Sequence, residues 1–159
     1  MEILTTRQEL RDWIVEQGNQ KRVLVPTMGA LHEGHTSLFD CAATLDGEDR
    51  SVIATIFVNP TQFAPNEDFD AYPRERESDL KKCQDHNVTA VFAPSVDEIY
   101  NSDASIEIRE SSLSKRYCGA SRPGHFDGVC LVVSKLFLQT QPDAAVFGEK
   151  DFQQLAIIR

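Results

Sequence analysis

Val23-Leu24-Val25-Pro26-Thr27-Met28-Gly29-Ala30-Leu31-His32-Glu33-Gly34-His35-Thr36-Ser37-Leu38 is the stretch on which the reading of this chain turns. An apolar, β-branched run ends at Pro26, a glycine-containing turn follows, and from about His35 the apolar residues Leu38, Phe39, Ala42 and Leu45 recur at helical spacing. The pattern predicts strand, tight turn, helix. The first N–H groups of such a helix lack partners within it, and the positive end of its dipole points outward, so the junction favours an anion. His32 and His35 lie on one side of a first turn, where both imidazoles can donate to phosphate oxygens. Gly34 between them admits a ligand to the backbone, and Gly29 is free to take a positive φ. Two of the chain's four histidines bracketing a glycine after a buried-type strand favour a functional reading over two chance surface histidines. A His/His metal site is the weaker alternative, because no third ligand stands at a recognisable spacing.

Outward from that stretch, the whole chain of 159 residues has the length of one domain with a sizeable core. A composition of 41% hydrophobic and 26% charged residues excludes disordered and fibrous classes. The formal charge of -9 argues against a general nucleic-acid or anionic-membrane surface, which needs clustered Lys and Arg. An anionic small molecule remains compatible with it where dipoles and a few cations focus locally. The start at Met1 carries no apolar leader and the chain no long apolar span, so a cytoplasmic location is expected. Cys41, Cys83, Cys118 and Cys130 form no CxxC pair and are expected to be reduced thiols.

The rest of the chain alternates strands and helices. Thr6 and Glu9 form a capping-box pattern opening a helix that Gly18 ends. Gly47, within Asp46-Gly47-Glu48-Asp49, marks the exit from the central helix. Ser51 to Val58 reads as a strand covered on both faces, followed by Asn59-Pro60-Thr61-Gln62-Phe63 and an acidic loop. Pro73 leads into a helix containing Asp79, Leu80, Lys82 and Cys83, and Val88 to Ala93 is a short strand. Val96 to Tyr100 has helical character and Ser105 to Arg109 alternates. Arg122-Pro123-Gly124-His125-Phe126-Asp127-Gly128 is expected as a polar loop, in which Arg122 and His125 either bind an anion or tie the loop down; both readings stay open. A largely buried helix then runs to about Gln141, Ala144 to Phe147 is a strand, and Gly148 opens a helix running to Arg159. This order predicts an α/β fold with a parallel sheet and right-handed crossovers, whose ligands bind at the carboxyl ends of the strands.

The polar motifs all fall at such ends. In Gly148-Glu149-Lys150-Asp151-Phe152-Gln153-Gln154, glycine permits close backbone approach, Lys150 offers a point charge for phosphate and Asp151 an acceptor for ribose hydroxyls, although a solvated helix cap reads the same way. Asn59 and Gln62 are neutral amides able to hold a hydroxyl or carboxylate; a turn-forming Asn-Pro pair with an exposed Gln is the plain alternative. Tyr72 and Arg74 read as packing and helix-start residues, and His86 as a surface histidine. With no Ser/His/Asp elbow, Walker loop or GxGxxG, the chain offers phosphate binding without an evident protein nucleophile. That suits direct nucleotidyl transfer between bound substrates.

Taken together, Pro26 to His35, Phe57 to Phe63, Tyr72-Pro73-Arg74, Arg122 to Phe126 and Phe147 to Gln154 resemble, in order, the blocks of the pantoate–β-alanine ligase (pantothenate synthetase) family. The resemblance runs from near Leu4 to Arg159, with Thr61 standing where a Met is commoner. It implies a Rossmann-like α/β domain of the HIGH-type nucleotidyltransferase superfamily. It also implies condensation of pantoate with β-alanine through pantoyl adenylate, releasing AMP and pyrophosphate.

By the family pattern, Met28, Gly29, Ala30, Leu31, His32, Glu33, Gly34, His35, Gly148, Glu149, Lys150 and Asp151 bind ATP. His32, His35 and Lys150 are the catalytic candidates, with His35 as proton donor. Gln62, Gln154 and Asn59 hold pantoate, Gln62 also lying where β-alanine enters. Mg2+ accompanies the triphosphate, and a homodimer is implied. The family continues past Arg159 into further Rossmann-like sequence and a carboxyl-terminal lid domain, so residues 1–159 are expected to be an amino-terminal ATP- and pantoate-binding domain with little turnover alone. Another nucleotidyltransferase of the superfamily, acting on a phosphorylated acceptor, and a non-catalytic nucleotide-binding module are the alternatives.

Overall fold

Five strands, β1 (Glu2–Leu4), β2 (Arg22–Thr27), β3 (Ser51–Ile56), β4 (Ala90–Phe92) and β5 (Ala144–Ala145), form one parallel sheet in the order β1-β4-β3-β2-β5. The computed structural model describes residues 1–45, 50–63 and 69–159. The expected parallel α/β, Rossmann-like architecture is present. Both faces of β2 and β3 are covered, which is why their sequences are apolar without alternation. Val23, Val25, Val52 and Ala54 pack on one face with Phe39, Ala42 and Cys83, whereas Leu24 and Ile53 pack on the other with Leu10, Trp13, Val129 and Leu136. β2 pairs with β3 on one side and with β5 on the other, so the strand order reverses between β2 and β5. A crevice opens beyond the carboxyl ends of strands at such a reversal.

The helices follow their sequence signals. α1 (Arg7–Gln17) begins at a complete capping box, with the Glu9 N–H donating to Thr6 Oγ1 at 3.1 Å and the Thr6 N–H to Glu9 Oε2 at 3.0 Å, and ends at Gly18 with φ 57°. α2 (Glu33–Ala43) starts two residues before the point at which apolar periodicity becomes visible, because His32 caps it. α3 (Arg76–Asp85) and the short α4 (Val96–Ile99) flank β4 in sequence.

The Arg122 to Gly128 segment corrects the expectation of a loop. α5 (Tyr117–Ser121) precedes it, Gly124 takes φ 84°, and α6 (His125–Thr140) then starts at His125. Gly128 is inside that helix because a Cβ there would lie 2.3 Å from the Thr61 carbonyl oxygen. β3 ends at Ile56 and β5 at Ala145, each two residues short of the expected runs. Ser105 to Arg109 has no regular structure. Glu149–Asp151 is a 3-10 turn before α7 (Phe152–Ile158). The Gly47 exit and the acidic residues following Phe63 lie outside the described residues.

Cys41 and Cys118 are exposed, Cys130 is half-buried and Cys83 buried, all as free thiols. Among the described residues no helix is long and apolar enough to cross a membrane.

Candidate active site

At the reversal between β2 and β5 lies a cleft of ≈ 370 Å³. Its first wall is the turn from β2 into α2. Gly29 and Ala30 both have left-handed backbone, with φ 83° and 50°. For Ala30 that conformation costs roughly 1–2 kcal/mol and must be held from outside. Asp79 holds it: its carboxylate, 1% exposed, accepts the N–H of Ala30 at 2.9 Å and of Leu31 at 2.7 Å. Gly29 is required here for space as well as for φ, since a Cβ would sit 2.9 Å from Asp79 Oδ2.

His32 and His35 cap α2 with their own rings. The Gly34 N–H donates to His32 Nδ1 at 3.0 Å, and the His32 N–H donates to His35 Nδ1 at 3.3 Å. The His35 and Thr36 N–H groups are taken by the His32 carbonyl at 2.8 and 3.1 Å. The helix start is therefore not the open row of amides that its sequence suggests. What it presents instead follows from the bonding: an Nδ1 that accepts carries no proton, so the proton of each neutral ring is on Nε2, available to a ligand. The ring centroids are 4.2 Å apart. Burial, then the neighbouring His32, lowers the His35 pKa from its ordinary value; Lys150 acts in the same direction against Asp79 and Asp151. His35 is thus a neutral hydrogen-bond donor near pH 7. Gly34 is needed less for ligand access than for this cap, because a Cβ would meet His32 Cε1 at 2.8 Å.

The second wall follows β5. Gly148, Lys150 and Asp151 line the cleft from the 3-10 turn, with Lys150 and Asp151 exposed. Asp151 makes no side-chain cap bond to α7, and Lys150 has no carboxylate partner among the described residues. The third side is amide. Asn59, 1% exposed, donates through Nδ2 to Gln62 Oε1 at 3.0 Å and to the Gly128 carbonyl at 3.2 Å. Gln62 and Gln154 line the cleft with it. Val129, Val132, Val133 and Leu136 of α6, with Phe57 and Phe147, supply an apolar floor.

Eleven of the residues singled out in the sequence, Met28, Ala30, His32, Gly34, His35, Asn59, Gln62, Gly148, Lys150, Asp151 and Gln154, line this one cleft. Gly29, Leu31, Glu33 and Glu149 do not. Leu31 is a core residue, 4% exposed and packed with Val25 and Phe39, so its side chain is not a ligand contact. Glu33 and Glu149 are exposed.

Arg122 and His125 tie structure together: Arg122 Nη1 donates to His125 Nε2 at 3.1 Å, and His125 Nδ1 donates to the Gln62 carbonyl at 2.8 Å. Gln153, quoted only as part of a motif, accepts from the Cys118 N–H and donates to the Leu113 and Arg116 carbonyls. His86 pairs with Asp40 at 2.8 Å. Sequence reasoning missed Asp79, the Tyr100 hydroxyl bonded to Asn59 and the floor of α6. Only the floor had a signal, its i, i+3, i+4, i+7 stripe, and a core helix shows the same one.

The chain is matched over residues 2–159 by the family described as pantoate-beta-alanine ligase. Pantothenate synthetase from Akkermansia muciniphila is 50% identical over 161 residues, covering 100% of this chain and 57% of that protein. The Lysinibacillus sphaericus pantothenate synthetase is 51% identical over 160 residues, covering 99% and 55%. Among solved structures, pantothenate synthetase from Thermus thermophilus superposes with a TM-score of 0.91 at 42% identity, covering 100% of this chain and 56% of that one. Pantoate-beta-alanine ligase from Francisella tularensis, complexed with beta-gamma ATP and beta-alanine, has a TM-score of 0.91 at 38% identity, covering 99% and 60%. The chain spans just over half the length of these relatives. A match along its whole length, on a fold that carries the motifs to one cleft, makes this chain a member of the pantoate–β-alanine ligase family.

Proposed function

We propose that residues 1–159 form the ATP- and pantoate-binding domain of an enzyme that condenses pantoate with β-alanine. One observation carries this reading: phosphate-directed groups (His32, His35, Lys150) and neutral amides (Asn59, Gln62, Gln154) line one cleft together with an apolar floor. ATP laid along the turn and Lys150 would bring its α-phosphate towards a small hydroxy acid held by the amides. The acid's carboxylate oxygen then attacks the α-phosphorus and the bond to pyrophosphate breaks, giving the acyl adenylate. The β-alanine amine attacks the acyl carbon, AMP leaves with the electron pair of the C–O bond, and the amine loses a proton as the amide forms.

In this reading the Nε2–H donors of His32 and His35, with Lys150, stabilise charge growing on pyrophosphate, and Asp151 accepts from the ribose. Magnesium enters with the triphosphate; among the described residues no cluster of three or more His, Cys, Asp or Glu is gathered to hold a cation. Neutral amides rather than a basic pocket favour a hydroxy acid over a phosphorylated acceptor. His32-Glu33-Gly34-His35 is the chain's version of the HIGH signature, and the protein is read as cytoplasmic and as a homodimer, the second of which sedimentation of the purified protein checks.

The test is calorimetric titration of the chain with pantoate in the presence of Mg-ATP. Saturable pantoate binding that Gln62→Ala abolishes is expected. ATP binding with no binding of the acid would indicate a nucleotide-binding module, and binding of a phosphorylated acceptor in place of pantoate another nucleotidyltransferase.

A further inference from the structure

Asn59 is buried, and its environment leaves its amide one orientation. The Gly128 carbonyl 3.2 Å away can only accept, so the group facing it is Nδ2. Oδ1 then faces three donors: the Tyr100 hydroxyl at 2.7 Å, the Thr61 hydroxyl at 3.0 Å and the Thr61 N–H at 3.3 Å. Because Nδ2 also donates to Gln62 at 3.0 Å, Gln62 must offer Oε1 in return. That leaves Gln62 Nε2, whose partner among the described residues is the Met28 thioether at 3.3 Å, a weak acceptor that a substrate oxygen would outcompete.

We propose that Tyr100 is a positioning residue for substrate recognition: its short bond to Oδ1, beside those from Thr61, holds the Asn59 amide in the orientation that the Gly128 carbonyl sets, and so keeps the –NH2 of Gln62, rather than its carbonyl, towards the substrate, so that this part of the cleft selects an oxygen acceptor. The inference rests on the reading of Gln62 as the acid-binding amide. Tyr100 is suited to the task. Burial raises the pKa of its phenol and keeps the proton on. Lys135 Nζ lies 5.4 Å from its ring centroid, drawing electron density from the ring and strengthening the O–H as a donor. Phe57, tilted at 6.2 Å between centroids, fixes the ring in place.

Tyr100→Phe keeps the ring and deletes the donor. Calorimetric titrations with pantoate and, separately, with Mg-ATP should show pantoate binding weakened about tenfold, the order of one lost buried hydrogen bond, with ATP affinity held within about twofold. Tyr100→Phe combined with Thr61→Val, which removes the second hydroxyl, should weaken pantoate further. Unchanged pantoate affinity, or equal weakening of both ligands as expected from a merely structural role, would overturn the proposal. The side-chain amide 15N resonances of Asn59 and Gln62 decide the point independently. If the parent protein binds no pantoate, the acid-binding reading fails; amide shifts in Tyr100→Phe would still support the positioning role, and unmoved resonances would overturn it.

Discussion

Asp79 on α3 accepts the backbone N–H of Leu31 at 2.7 Å, a bond reaching across 48 positions of sequence. With the companion bond from Ala30, it makes one buried carboxylate the outside support of a left-handed turn. Asp79→Asn places an –NH2 against one of the two amides and should cost roughly 2 kcal/mol, with Asp79→Ala costing more by leaving both N–H groups unpaired. Urea midpoints measure the loss. ATP affinity should fall with it, because the turn leads directly into the His32 cap. An Asp79→Ala protein as stable as the parent would show that the turn supports itself.

The lowered pKa of His35 fixes the sign of a pH dependence. Where the unfolded chain has bound a proton at His35 and the folded chain has not, stability rises with pH. Stability is therefore lost as pH falls from the ordinary histidine value towards the lowered folded one, and no further loss from this group follows below that. Protonation also puts a hydrogen on the Nδ1 that accepts the His32 N–H, so the cap opens as the ring charges. An NMR titration of the His35 ring should show a midpoint below 6.5, the value from which it is displaced. His35→Gln should flatten the stability profile in that window. A midpoint above 6.5 contradicts the cap geometry.

Gly128→Ala sets two effects in opposition. In a helix interior the change ordinarily stabilises by roughly 1 kcal/mol. Here the new Cβ would lie 2.3 Å from the Thr61 carbonyl oxygen and 2.8 Å from the Gln62 nitrogen, both backbone atoms that cannot rotate aside. Overpacking of this kind costs about 1–3 kcal/mol, so the net effect should be destabilising. The melting temperature should fall, and pantoate affinity with it.

The thiols should separate by accessibility. Cys41 and Cys118 are exposed and should react with a thiol reagent within the first phase at pH 8. The Cys83 thiol is pushed up to about 12 by burial and then by the nearby Asp79, and should react only on unfolding. Burial, with Asp127 and Glu110, raises the Cys130 pKa, so it should label slowly. Counting modified cysteines by mass against time tests this; early modification of Cys83 would place it outside the core.

Features made by neighbours in sequence were legible before the fold was known. The Thr6 and Glu9 capping box, the Gly18 cap, the strand–turn–helix around Gly29 and the strand-end position of Lys150 depend on residues within a few positions of one another. Features made by distant partners were not. Asp79 looked like any acidic residue of a helix, and Tyr100 ended an unremarkable segment, because what each bonds to lies 39 or more positions away. The start of α6 was misread for a related reason: Gly124 and Gly128 signal a loop locally, whereas one makes a left-handed bend and the other admits the backbone of Thr61. The histidines were legible as a pair, but the use of their Nδ1 atoms as caps was not, since it depends on rotamers.

The contact of Gly128 with the Thr61 backbone has a consequence for how this cleft can diverge. α6 carries the apolar floor, and through Gly128 and His125 it also grips the backbone of Gln62. A substitution that recuts the floor, such as Val132→Ala, therefore changes the seat of the amide as well, and one at Thr61 or Gln62 bears on the helix. Effects at such coupled positions are not additive. Acceptance of a bulkier or differently oxygenated acid would thus require paired changes on α6 and the 59–62 segment, a route that single mutational steps traverse poorly.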